Sequence, residues 1–162
     1  MLREDLSSKL IHLTRDFNRK SAHDNFFNIL CEESIKGTHT HVRGGFDCVC
    51  FTEAPISTIG RIIASDNSAV KYSPFGFTFS KEYLFTKGAR PVIYQPEDQF
   101  ELLDDDIKYR HVRFDLSKST TPDWTWEREL RIKTDHLKLE IQQVTAVVPT
   151  RDWMHEMIYR HK

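Results

Sequence analysis

Cysteine is scarce in this chain, with three among 162 residues, and an odd number does not close into a complete disulfide framework, so a reducing compartment is expected. Glycine and proline are equally sparse, six of each, which excludes collagen-like repeats and any linker rich enough in those residues to divide domains. Neither charge sign dominates. With 23 Lys and Arg against 24 Asp and Glu, the formal net charge is -1, which argues against a broadly basic nucleic-acid binder while leaving room for a local basic groove. No apolar run approaches a membrane span, and the opening Met1-Leu-Arg-Glu-Asp-Leu6 is charged from its third residue without an apolar stretch behind it. These absences predict a soluble cytoplasmic protein with no membrane partner, folded as a single domain over 1–162 with its core roughly at 9–160.

Short β-rich runs alternate with short helical patterns, which predicts an α+β fold. Lys9-Leu-Ile-His-Leu-Thr14 reads as a first strand, and Ala22 to Glu33, with apolar Phe26, Phe27, Ile29, Leu30 and Cys31, as an amphipathic helix ending near Gly37. Phe46 to Thr52 predicts a buried strand, and Pro55 opens a helix whose stripe is Ile56, Ile59, Ile62 and Ile63. Pro74 to Phe79 alternates as a strand, Ser80 caps a helix over Lys81 to Thr86, and Arg90 to Tyr94 returns as a strand. Pro96 to Asp106 predicts a short acidic helix, Ile107 to Leu116 a strand or extended segment, and Leu137 to Val148 a β-rich one. Thr150 caps a last helix through Tyr159.

The chemistry-bearing feature is Trp124-Thr-Trp-Glu-Arg-Glu-Leu-Arg-Ile132. Read as a strand, it puts Trp126, Arg128, Leu130 and Ile132 on one face and Glu127, Glu129, Arg131 and Lys133 on the other. If that face is solvated, the glutamates are surface charges balanced by Arg131 and Lys133. If it lines a cleft, they form an acid pair suited to a sugar or its glycosidic bond, and like charges there raise one pKa into a useful range.

Several further motifs come in order: Leu10-Ile-His-Leu-Thr14, Ile35-Lys-Gly37, Val49-Cys-Phe-Thr-Glu-Ala-Pro55, Tyr72-Ser-Pro-Phe-Gly76, Gly88-Ala-Arg-Pro-Val-Ile-Tyr94 and Trp126-Glu-Arg-Glu-Leu-Arg131. Together they resemble the bacterial abortive-infection AbiGi-type family, and more remotely the DarT-like ADP-ribosyltransferases. The resemblance implies a split, mostly antiparallel sheet of ADP-ribosyltransferase form. It also implies NAD as substrate, a protein or nucleic-acid acceptor, and a cognate toxin or antitoxin partner. His12 would hydrogen-bond the adenine-side ribose or the nicotinamide amide, with Thr14 beside it. Tyr72, or else Tyr83, would stack on the nicotinamide. Glu129 would bind the 2′-hydroxyl of the nicotinamide ribose and stabilise its developing positive charge, and Glu127 would orient or deprotonate the acceptor. On this reading Glu129→Gln removes activity and leaves the fold intact. The sequence departs from the pattern in lacking a glycine-rich phosphate loop, since Gly44-Gly45 is too short.

Two other functional classes share these residues: a non-catalytic antitoxin or nucleotide-binding module, and a metal-independent RNase using His12 with His111 and a carboxylate. A two-residue turn at Gly44-Gly45 would set His41 opposite Cys48 and His39 opposite Cys50, a zinc donor set; the competing reading, favoured here with no metal expected, makes the cysteines small core residues. Arg15, Arg19, Lys20 and Arg43 read as scattered surface cations or as a local anion site.

Overall fold

Lys9–Leu13, with Leu10 and Ile11 buried on opposite sides in two separate core clusters, is the first strand, β1, in the computed structural model, which describes residues 7–65, 72–117 and 122–160. Helix α1 (Ala22–Glu32) enters through a capping box: the Asp24 N–H donates to Ser21 Oγ at 3.1 Å and the Ser21 N–H to Asp24 Oδ2 at 3.2 Å. Its Phe26 is fully buried, with its ring stacked on Phe77 at 4.9 Å between centres. The helix stops short of Gly37. Glu33 turns left-handed (φ 46°), and Ser34–Lys36 becomes a short strand, β2. The remaining elements are β3 (Cys48–Thr52), α2 (Ile56–Ala64), β4 (Gly76–Ser80), α3 (Lys81–Thr86), β5 (Arg90–Pro91), β6 (Ile93–Gln95), β7 (His111–Arg113), β8 (Glu129–Lys133), β9 (His136–Lys138), β10 (Val144–Val147) and α4 (Arg151–Arg160).

Six strands form an antiparallel sheet in the order β10-β4-β1-β3-β8-β5; β2 pairs with β9 antiparallel and β6 with β7 parallel. The α+β class and the mostly antiparallel sheet are as the sequence predicts. Leu10, Val49, Phe51, Phe77, Phe79 and Ile132 pack with Phe26, Ile35 and Leu84 in the main core. Ile11, Ala54 and Ile59 make a smaller cluster involving α2.

The sheet has a weak seam. β1 pairs with β4 from Lys9↔Ser80 to Leu13↔Gly76, and β3 pairs with β8 from Cys48↔Lys133 to Thr52↔Glu129. Between β1 and β3 there is one register pair, Ile11↔Thr52. Beside it, His12 Nδ1 donates to the Cys50 carbonyl oxygen at 2.9 Å, so a side chain bridges the strands where the ladder stops. β4 runs tight against β1 because residue 76 is glycine: a Cβ there would lie 2.3 Å from the His12 carbonyl oxygen.

Beyond the 124–132 stretch, four stretches expected as single elements are broken. The 90–94 strand divides at Val92 into β5, which pairs with β8, and β6, which leaves the main sheet to pair with β7. The acidic segment from Pro96 forms a 3-10 helix, Glu97–Leu102, in which Phe100 is buried and Leu102 exposed, too little apolar face to hold a full α-helix. The 107–116 segment contains a 3-10 turn, Lys108–Arg110, before β7. The 137–148 segment divides into β9 and β10 around the turn Ile141–Gln143. Among the described residues no helix is long and apolar enough to cross a membrane.

Candidate functional site

The β1–β3 seam borders a cavity of about 870 Å³, within the range of roughly 300–1,000 Å³ usual for small-molecule sites. His12, Thr14, Tyr72, Glu127 and Glu129 all line it, although they come from opposite ends of the chain. Tyr83 is not among the lining residues. It sits on α3 with its ring stacked on Phe79 at 6.3 Å, which removes it as a ring that stacks on a ligand in this cavity.

The two glutamates meet at the cavity by a different route from the one strand alternation predicts. β8 begins only at Glu129; Thr125–Glu127 is a 3-10 turn, and Arg128 takes the left-handed conformation (φ 48°) between them. Three contacts hold the turn. The Thr52 hydroxyl and the Glu53 N–H donate to the Glu127 carbonyl oxygen, and the Glu53 carboxylate accepts from Arg128 Nε at 3.1 Å. Glu127 is thereby carried onto the lining as a buried side chain, 9% exposed.

The carboxyls differ in electrostatics. Burial first, and the neighbouring Glu129 charge second, push the Glu127 carboxyl up to about 7; the Tyr72 hydrogen bond, Arg131 and Arg15 work in the other direction. Like-charge repulsion, the cause expected from the sequence, is thus the lesser of the two. Glu129 is held in a two-point pair with Arg131, Nε to Oε1 at 2.8 Å and Nη2 to Oε2 at 3.2 Å. Arg131 is 3% exposed, and its Nη1 also donates to the carbonyls of Tyr109 at 2.8 Å and His111 at 3.0 Å. Burial is the largest single influence and opposes its charge, but the Glu129 charge and hydrogen bonds, with smaller contributions from Cys50 and Cys48, together hold the guanidinium above its ordinary pKa.

Tyr72 donates its hydroxyl to Glu127 Oε1 at 3.0 Å, and burial followed by the Glu127 charge drives its own pKa far upward, so the phenol stays protonated. Because that bond stabilises the ionised carboxylate, Tyr72→Phe is expected to move the Glu127 titration to higher pH. Carboxyl-carbon NMR across pH 5–9 would detect the move, and an unchanged midpoint would break the assigned contact.

His12 is held neutral, its pKa lowered chiefly by burial and further by Arg15, against the raising effect of the Cys50 carbonyl. A carbonyl only accepts, so Nδ1 carries the proton and Nε2 is left as an acceptor. The Thr14 hydroxyl donates to the Phe75 carbonyl at 3.0 Å, which ties β1 to the start of β4 and leaves the oxygen lone pairs for other donors.

The zinc geometry weighed for the 38–50 hairpin does not form. Thr38 stands opposite Cys48, with reciprocal backbone bonds of 3.0 and 3.2 Å, which displaces His41 and His39 from the positions facing Cys48 and Cys50. His39 instead contacts Asp47 at 3.0 Å. Burial pushes the Cys48 thiol up to about 11 and the Cys50 thiol well above its ordinary value, which suits core packing rather than thiolate chemistry. No group of three or more His, Cys, Asp or Glu side chains suited to a metal ion occurs among the described residues.

Arg131 is the site residue that sequence reasoning missed. On a strand with two glutamates it reads as a solvated counter-ion, and its carbonyl partners lie in the 109–111 segment, which has no strong periodicity of its own. Comparison of the chain with protein-family models, with curated proteins and with solved structures returns no match.

Proposed function

We propose that the seam cavity is an NAD-consuming active site of ADP-ribosyltransferase type, acting as a toxin or effector in bacterial anti-phage defence, with a protein or nucleic acid as acceptor and a cognate antitoxin as partner. The observation that carries this reading is the convergence on one cavity of His12, Thr14 and Tyr72 with an asymmetric carboxylate pair: Glu129 fixed by Arg131, and Glu127 poised near neutral pH. The antiparallel sheet with a single β1–β3 register pair is compatible with a split-sheet transferase form. The role in defence rests on the family resemblance alone.

The chemistry assigns each group a task. The bond between C1′ of the ribose and the pyridinium nitrogen of NAD breaks, its electron pair leaves with neutral nicotinamide, and positive charge develops on the sugar. Glu129, oriented by Arg131, retains lone pairs for the 2′-hydroxyl and faces that charge. Glu127 accepts the proton of the incoming nucleophile, water or an acceptor hydroxyl or amine, as the new bond to C1′ forms. Tyr72 aims the Glu127 carboxylate, and its ring is the remaining aromatic candidate for stacking on the nicotinamide. His12 Nε2 accepts from a ribose hydroxyl or from the nicotinamide amide.

His12 and His111 also line the same cavity, so RNA cleavage is the competing chemistry. One feature disfavours it: the His111 Nε2 lies 3.3 Å from the Pro96 carbonyl, which engages that ring nitrogen within the protein. Purified protein incubated with NAD labelled in the adenylate portion, alone and with cell lysate, should release free nicotinamide and pass label to one macromolecular fraction. RNA cleavage without NAD turnover, or neither reaction, would overturn the proposal.

A further inference from the structure

The cavity carries cations as well as carboxylates, and two of them form no ion pair among the described residues, although the charge of Lys20 is felt at Glu32 and that of Arg15 at Glu127. Arg43 and Lys36 are occupied, Arg43 by Glu97 and Glu101 and Lys36 by Glu32. Arg15 and Lys20 also line the cavity, yet among the described residues neither makes an ion pair. Arg15 is half-buried and close enough to Glu127 and His12 for its charge to be felt at both.

The loop that bears them is fixed before any ligand arrives. Phe17 and Lys20 exchange two backbone hydrogen bonds of 3.0 Å around Asn18 and Arg19, whose φ values of 51° and 62° make this a tight left-handed turn. Arginine at such a φ is strained, at a cost of about 1 kcal/mol, and the surrounding bonds hold it there. Asn25 Nδ2 donates to the Arg15 carbonyl at 2.8 Å, and Asp16 Oδ1 accepts from the Ala22 N–H at 2.8 Å. Asp16 and the Ser21–Asp24 capping box also occupy the N-terminus of α1 with carboxylates, which closes that helix end to an anion. Any anion bound beside this loop must therefore be met by side chains.

We infer that Arg15 and Lys20 form a diphosphate subsite on the lining of the cavity that they share with Glu127 and Glu129. The assignment rests on the NAD reading above and specifies how the ligand lies. A dinucleotide with a cationic nicotinamide ribose and an anionic diphosphate matches a cavity lined both by carboxylates and by cations held outside any ion pair among the described residues. The subsite also supplies what the missing glycine-rich loop would otherwise provide, with guanidinium and ammonium donors in place of backbone N–H groups. Arg19 serves as an internal control, since it sits in the same turn but does not line the cavity.

The test is calorimetric titration of the full chain with ADP-ribose, ADP, adenosine, NAD and inorganic pyrophosphate, with melting curves as a fold control. Wild type should bind ADP-ribose and ADP at least tenfold more tightly than adenosine. Arg15→Gln should lose about tenfold or more for ADP-ribose with adenosine unchanged, Arg15→Lys should retain part of the affinity, and Arg19→Gln should match wild type. ADP-ribose affinity within twofold of wild type in a folded Arg15→Gln protein would overturn the subsite while leaving the NAD reading standing, as would an equal loss in Arg19→Gln. Pyrophosphate binding that depends on Arg15, without binding of NAD or ADP-ribose, would keep the anion site and overturn the NAD reading. No binding of any of the five would overturn both.

Discussion

Glu127→Gln is expected to melt higher than wild type at pH 8 while losing about 100-fold or more in transfer activity, the scale of one general acid–base group. Both effects have one cause. A carboxyl raised from about 4.5 to about 7 is protonated in the folded protein over a range where the unfolded chain is already ionised. Stability therefore falls as pH rises from about 4.5 to about 7 and stays lowered above that, by about 3 kcal/mol for a shift of this size. Glutamine keeps the shape and still accepts from the Tyr72 hydroxyl, but it carries no charge to desolvate. The melting difference should thus vanish near pH 4 and grow through neutrality, with NAD hydrolysis suffering less than transfer because water needs less orientation than a macromolecular acceptor. A variant that melts lower than wild type at pH 8, or one that transfers within a few-fold of it, would refute the assignment.

Arg131→Met should lower stability by about 3–5 kcal/mol, the usual result of breaking a buried ion pair from one side. It leaves the Glu129 carboxylate, whose side chain is 13% exposed, without its counter-charge, and strips the carbonyls of Tyr109 and His111 of their shared donor. In a chain of this length that is a fall in melting temperature of roughly 10 °C. The double variant Arg131→Met with Glu129→Leu should recover part of the loss, because no uncompensated charge remains and only the two carbonyls stay unsatisfied. A single variant melting within 2 °C of wild type would mean the pair contributes nothing to the fold. The same pairing alters the expectation for Glu129→Gln. Removing that charge loosens a buried guanidinium, so a loss of activity there reports on folding as well as on chemistry, and Glu127→Gln is the cleaner variant.

Much of the frame was legible from local signals. β1 followed from the β-rich run Lys9–Leu13, α1 from the apolar stripe of Phe26, Phe27, Ile29 and Leu30, and α3 from Ser80, which caps it as its position suggests. Of the candidate site, the sequence named five residues, His12, Thr14, Tyr72, Glu127 and Glu129, that line one cavity, and one, Tyr83, that does not. What local pattern does not carry is long-range geometry. The turn at Thr125–Glu127 depends on Arg128 taking a left-handed backbone that arginine seldom adopts, held there by Thr52 and Glu53 far away in sequence. The break at β2 follows from pairing with β9, about a hundred residues downstream, which no window over Ser34–Lys36 contains. Arg131 was obscured for the same reason, as were the Tyr72–Glu127 contact and the Thr38↔Cys48 register that undoes the zinc geometry.

Titration of NAD into the wild-type protein and into His12→Ala, with melting curves confirming that both are folded, tests most directly whether the two ends of the chain build one NAD site. Wild type should bind one NAD per chain with a dissociation constant below millimolar. His12→Ala should bind more weakly by about 1 kcal/mol, roughly fivefold, through the loss of one neutral hydrogen bond. No heat of binding from wild type at millimolar NAD, or unchanged affinity in a folded His12→Ala protein, would contradict it.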